Sequence, residues 1–97
     1  MYKIILTRQA EKDSISIERA GLKSKAVEFI RIVKNNPFQN PPEYEKLMGV
    51  KDTYSRRMNK QHRFVYQVLP NSEKLTDENN VPYNGIIKIV RMWTHYE

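Results

Sequence analysis

The chain has 97 residues, 39% hydrophobic, 29% charged and 10% aromatic, with a net charge of +6. That balance fits one small globular domain over residues 1–97 and excludes a disordered chain or two independent cores. The absence of cysteine and the presence of only two histidines, His62 and His95, exclude disulfide staples, thiolate zinc and a cysteine nucleophile, so neither metal nor cofactor is expected. Residues 2–6, apolar and β-branched, predict a short strand. Thr7 then suits the N-cap of a helix over 8–20, with Ala10, Ser14, Ile17 and Ala20 along one face. Gly21 fits the left-handed position that ends it. Leu22, Ala26, Phe29, Ile30 and Val33 mark the buried stripe of a second helix, which Asn35-Asn36-Pro37 stops.

Residues 37–44 hold three of the five prolines and predict a loop. Beyond it the hydrophobic period changes from 3.6 to 2. Tyr54, Arg56 and Met58 alternate with Ser55 and Arg57. Phe64, Tyr66 and Val68 form a second alternating run, and residues 86–95 a third, long one. Asn59-Lys60-Gln61 turns the first run into the second. Residues 70–84, polar and acidic, are long for a hairpin connection and read either as a mobile segment or as an extension of the hairpin. Helices first and strands afterwards predict an α+β fold, with two N-terminal antiparallel helices packed on one face of a mostly antiparallel sheet.

The positive charge is concentrated toward the front. Residues 1–36 carry eight basic and four acidic groups, residues 37–69 six and three, and residues 70–97 three and four. Such a distribution suits a polyanionic partner, whose phosphates release counterions to lysine and arginine. Arg56, Arg57, Lys60, His62 and Arg63 fall within eight positions, either a nucleic-acid contact or the charge-protected edge a sheet needs anyway. Alternation puts Arg91, Trp93 and His95 on one face of the last strand. That face could stack on bases and meet phosphates, or could be an ordinary strand end with Trp93 in the core. With no thiol and few histidines, RNA cleavage by its own 2′-hydroxyl remains open, since it needs only a base, cationic groups for the phosphorane and an acid.

The ordered combination of Asn36-Pro37-Phe38, Glu45-Lys46-Leu47, Tyr54-Ser55-Arg56-Arg57-Met58-Asn59, His62-Arg63-Phe64-Val65-Tyr66 and the closing His95-Tyr96 resembles the YoeB branch of the RelE-like toxins. The resemblance covers nearly the whole chain. It implies the RelE-like fold, with four to five strands, and a ribosome-dependent mRNA interferase from a type II toxin–antitoxin system. It further implies Glu45 as general base, Arg63 as phosphate ligand, His95 as general acid and Tyr96 as its neighbour at the cleaved nucleotide. Arg57 would help hold the phosphates, with Lys46, Lys51, Arg56, Lys60 and Arg91 as further RNA contacts. The implied partners are a YefM/Phd-type antitoxin, the ribosome with mRNA in its A site, and operator DNA only through the antitoxin complex. A homodimer is within the family's range.

The sequence departs from the family in two places. Met48 stands where the YoeB branch carries a lysine, and the 70–84 connection exceeds a short turn. RelE-like folds also include gyrase inhibitors that bind without cutting, so the competing reading is a non-catalytic binding protein or an inactive toxin kept for its antitoxin. No apolar run approaches the roughly 20 residues that span a bilayer, and no signal-peptide stretch opens the chain, so a cytoplasmic protein without membrane contact is expected.

Overall fold

A computed structural model of the protein describes residues 1–93. Strand β1 (Lys3–Leu6) runs into helix α1 (Arg8–Arg19) through Thr7, whose hydroxyl oxygen accepts the Ala10 amide at 3.0 Å. The same hydroxyl donates to the carbonyl of Val90 at 2.9 Å, so the cap also fastens the helix to the far end of the chain. Gly21, at φ +74°, turns the backbone at the end of α1, and the Leu22 amide closes onto Ile17 O. Helix α2 (Lys23–Asn35) follows, and then β2 (Glu45–Lys46), β3 (Thr53–Arg57), β4 (Arg63–Leu69) and β5 (Ile86–Arg91).

Among the described residues the strands form one sheet in the order β1-β5-β4-β3-β2. Strand β1 lies parallel to β5, and the other pairs are antiparallel. This is the expected α+β architecture. Ala10, Ile17, Ala26, Phe29 and Val33 from the helices pack on Phe64, Tyr66, Ile87 and Ile89 from the sheet. At the centre the Phe29 and Phe64 rings meet edge to face, 5.7 Å apart. The helices therefore cover one sheet face, and the face bearing Ser55, Val65 and Gln67 looks away from them. No helix among the described residues is long and apolar enough to cross a membrane.

Three local expectations change. The buried face of α1 is Ala10, Asp13 and Ile17, while Ala20 is exposed. Asp13 turns inward because it receives the amides of Met92 at 3.0 Å and Trp93 at 3.3 Å. Those amides, bonded to a carboxylate, no longer extend a strand ladder, and β5 ends at Arg91 instead of running on. Its pairing with β4 also steps from Tyr66↔Ile89 to Val65↔Arg91, passing over Val90. This bulge puts Arg91 out of phase with Ile87 and Ile89, so period-two alternation does not carry through to Trp93. The 70–84 connection is an extension of the hairpin with its own structure. Thr76 bridges to Pro82, and Asn71 Nδ2 donates to the carbonyls of Leu75 (2.8 Å) and Tyr83 (3.1 Å).

Candidate active site

Register decides which side chains share the open face. Glu45 stands opposite Ser55, and Arg57 opposite Arg63. All four belong to the face turned away from the helices, because residues two apart on a strand point the same way. Glu43, Tyr44, Glu45, Ser55, Arg57 and Arg63 line an open cleft of about 270 Å³ there.

Within the cleft, Arg63 Nη1 donates to Glu45 Oε1 at 2.7 Å and to Ser55 Oγ at 3.3 Å. The Glu45 side chain is 59% exposed and that of Arg63 21%. The arginine is thus held by its surroundings, and the carboxylate is the partner that can swing toward a ligand. Arg57 is exposed beside them. One anionic acceptor and two guanidinium groups can hold a phosphodiester and receive a proton from a hydroxyl next to it. Among the described residues no group of three or more His, Cys, Asp or Glu is arranged to hold a metal ion.

The other expected contacts scatter. Arg56 is completely buried, so it is not a surface ligand for RNA. It stands opposite Phe64, on the helix side of the sheet, and its guanidinium donates to the carbonyls of Pro37 (3.0 Å) and Pro42 and to the Tyr66 hydroxyl (3.2 Å). Arg91 is also engaged elsewhere. Its Nε donates to Asp13 Oδ2 at 2.8 Å and its Nη2 to Trp93 O at 2.8 Å. Burial tends to raise the Asp13 carboxyl, but Arg91, the Met92 amide, Gln9 and the Trp93 amide outweigh it and hold the group below the usual carboxylate range. Lys46 is exposed opposite Tyr54, so alternation sends it to the other sheet face from Glu45. Lys51 and Lys60 are exposed outside the residues that line the cleft.

His62, counted with the basic hairpin, is buried with its ring stacked on Trp93 at 3.8 Å and 18°. Trp93 itself packs partly buried against the core. The hairpin turn is held by Asn59, whose Oδ1 accepts the amides of Gln61 (2.8 Å) and His62 (2.7 Å). His95 and Tyr96 lie outside the described residues. Three cleft residues went unread in the sequence: Glu43, Tyr44 and Ser55. Ser55 carried a usable signal, since it is two positions from Arg57 in an alternating run and so shares its face.

No family model matches the sequence, and no curated protein does. Solved structures do match it along nearly their whole length. The YoeB/ParE toxin from Agrobacterium tumefaciens is 26% identical with a TM-score of 0.75, over 97% of this chain and 99% of that one. The YoeB–YefM complex from Staphylococcus aureus matches at 26% identity and a TM-score of 0.68, over 99% of both chains. The YoeB dimer from Staphylococcus aureus matches at 25% identity and 0.70, over 98% of both. In fold the chain is RelE-like, with YoeB toxins among its structural neighbours.

Proposed function

We propose that this RelE-like chain is the toxin of a type II toxin–antitoxin pair, a metal-independent endoribonuclease that cuts translated mRNA in the ribosomal A site. The observation that carries this reading is the convergence of Glu45 with Arg63 at 2.7 Å in an open cleft that Arg57 also lines. In the reaction, Glu45 takes the proton from a 2′-hydroxyl as its oxygen attacks the adjacent phosphorus. Arg63 and Arg57 hold the non-bridging oxygens and offset the charge that builds on the phosphorane. The bond to the 5′-oxygen breaks, a 2′,3′-cyclic phosphate forms, and His95 returns a proton to the leaving oxygen. Tyr96 orients the nucleotide or that imidazole. An arriving phosphate competes with Glu45 for Arg63, so substrate binding itself frees the base.

A cleft this open holds a flexible strand loosely, and the ribosome supplies the missing orientation by presenting the codon. By analogy with the YoeB–YefM complex, the partner is a YefM/Phd-type antitoxin, an acidic segment that folds onto the basic toxin. Operator DNA is reached only through that complex, in the cytoplasm where messages are translated. The YoeB dimer from Staphylococcus aureus supports a homodimer here.

A binding-only protein is the second reading, favoured by Met48, which is 92% exposed beside the cleft strand where the YoeB branch has a lysine. Primer extension on one mRNA in a cell-free translation reaction separates the two. Codon-phased ends that need ribosomes and vanish with Glu45→Gln or His95→Ala support the nuclease. An intact message refutes it and makes gyrase supercoiling the next assay. Cuts that persist without ribosomes identify a different nuclease.

A further inference from the structure

Arg56 is a positive charge with no solvent exposure and, among the described residues, no carboxylate partner. Burying a charge is costly unless its hydrogen bonds are met. Here two of its three acceptors belong to one segment. Arg56 donates to Pro37 O and Pro42 O, which bracket the proline-rich loop leading to β2. The Tyr66 hydroxyl accepts from Arg56 Nε and donates to Pro37 O at 2.7 Å, adding a second tie at the same point. The guanidinium carbon lies 5.0 Å from the centre of the Tyr44 ring, which in turn lines the cleft and immediately precedes Glu45. Phe38 and Tyr44, both of this loop, pack on Tyr54 of β3 at 5.2 and 6.0 Å, and the cation itself lies between the Tyr44 and Tyr66 rings, 5.0 and 5.8 Å from their centres.

Strand β2 is only two residues long, and its pairing with β3 cannot by itself fix where Glu45 stands. The loop behind it must do so. We propose that Arg56 is a positioning residue, which clamps the 37–44 loop from beneath the sheet so that Glu45 meets Arg63 in the cleft. This rests on the reading of Glu45 as the base. Arg56 touches neither substrate nor the reacting atoms, and its effect passes through the loop carbonyls and Tyr44. A lysine could not replace it, because three acceptors in different directions need the planar fork of a guanidinium.

A mutant cycle on single-turnover cleavage of mRNA on programmed ribosomes tests this, with wild type, Arg56→Met, Glu45→Gln and the double variant. Arg56→Met is expected to slow cleavage roughly 10- to 100-fold, and Arg56→Lys to recover little of it. Once Glu45 has been replaced, adding Arg56→Met is expected to cost almost nothing further. Losses that multiply in the double variant overturn the proposal, because Arg56 would then act independently of Glu45. So does an Arg56→Met protein that cleaves at the wild-type rate. If Arg56→Met does not fold, Tyr66→Phe carries the same cycle, because it keeps the ring and removes one tie to Pro37. A wild type that cuts nothing, or a Glu45→Gln protein of full activity, is a different failure. It removes the base reading and the positioning role falls with it, whereas a slow Glu45→Gln beside an unaffected Arg56→Met sinks the positioning role alone.

Discussion

Replacing Asp13 with alanine should unfold more of this protein than any change on the cleft. The carboxylate is 3% exposed and accepts from Arg91, Gln9 and the backbone amides of Met92 and Trp93. Removing it strands two amides near the core, each costing about 1–3 kcal/mol when unsatisfied. It also strands the Arg91 guanidinium, for which breaking a buried pair costs about 3–5 kcal/mol. The Arg91 side chain is 32% exposed and can turn to water, so its share falls to about 1 kcal/mol, and with each amide at its lower end the total is near 3 kcal/mol. For a domain of this size that is roughly 12–24 °C in Tm. Urea melts followed by far-UV circular dichroism and by the fluorescence of Trp93, the single tryptophan, measure it. The acid limb gives a second reading. A carboxyl whose folded-state pKa is depressed stabilises above its unfolded value and loses that contribution as pH falls through the folded one. The gap between wild type and Asp13→Asn should therefore close below about pH 4. A loss under about 1 kcal/mol, the range of exposed ion pairs, or a gap that stays constant into acid, would refute the account of Asp13 as the buried anchor of the strand end.

Other outcomes follow from neighbouring features. Glu45→Gln should change stability by less than about 0.5 kcal/mol in a urea melt, since its partner pair is exposed to water, so any loss of cutting is chemical. Gly85→Ala should cost about 1–3 kcal/mol, because its Cβ would sit 2.7 Å from Leu69 O and 2.9 Å from the Tyr2 ring, and both are fixed by packing. Burial pushes the Tyr66 phenol up, against a smaller pull from Arg56. The stability it contributes is present below its unfolded value and lost as pH rises through the folded one, so Tyr66→Phe should flatten the alkaline limb of a pH melt above about pH 10.

The sequence carried the helices and strands because their signals are local. Thr7, Gly21 and the Ala26-Phe29-Val33 stripe each state their role within a turn or two of chain. What stayed hidden depends on partners far away. Arg56 and Arg57 are adjacent, similar and equally polar by any scale, yet one is sealed under the sheet and the other open to the cleft. The choice is made by the carbonyls of Pro37 and Pro42, 19 and 14 positions earlier. Nothing near Asp13 in the chain marks it as buried, because its partners are amides 79 and 80 positions later. The pairing of Glu45 with Arg63 was legible through family resemblance and not from composition, which shows charge without convergence.

The union of β1 with β5 has a consequence for how the protein is made. Thr7 reaches Val90 across 83 positions, and Asp13 waits for Met92 and Trp93. A nascent chain leaves the ribosome N-terminus first, so β1 and both helices emerge long before the strand that joins them to the sheet. Until then the apolar stripe of α2 lacks Ile87 and Ile89 to pack on, and β1, though it touches both helices, has no strand to pair with. Contacts of such long range form late and slowly. The two halves of the molecule close only when synthesis has passed residue 90, which leaves an interval during translation when a partner can find the unassembled chain before it has a finished shape.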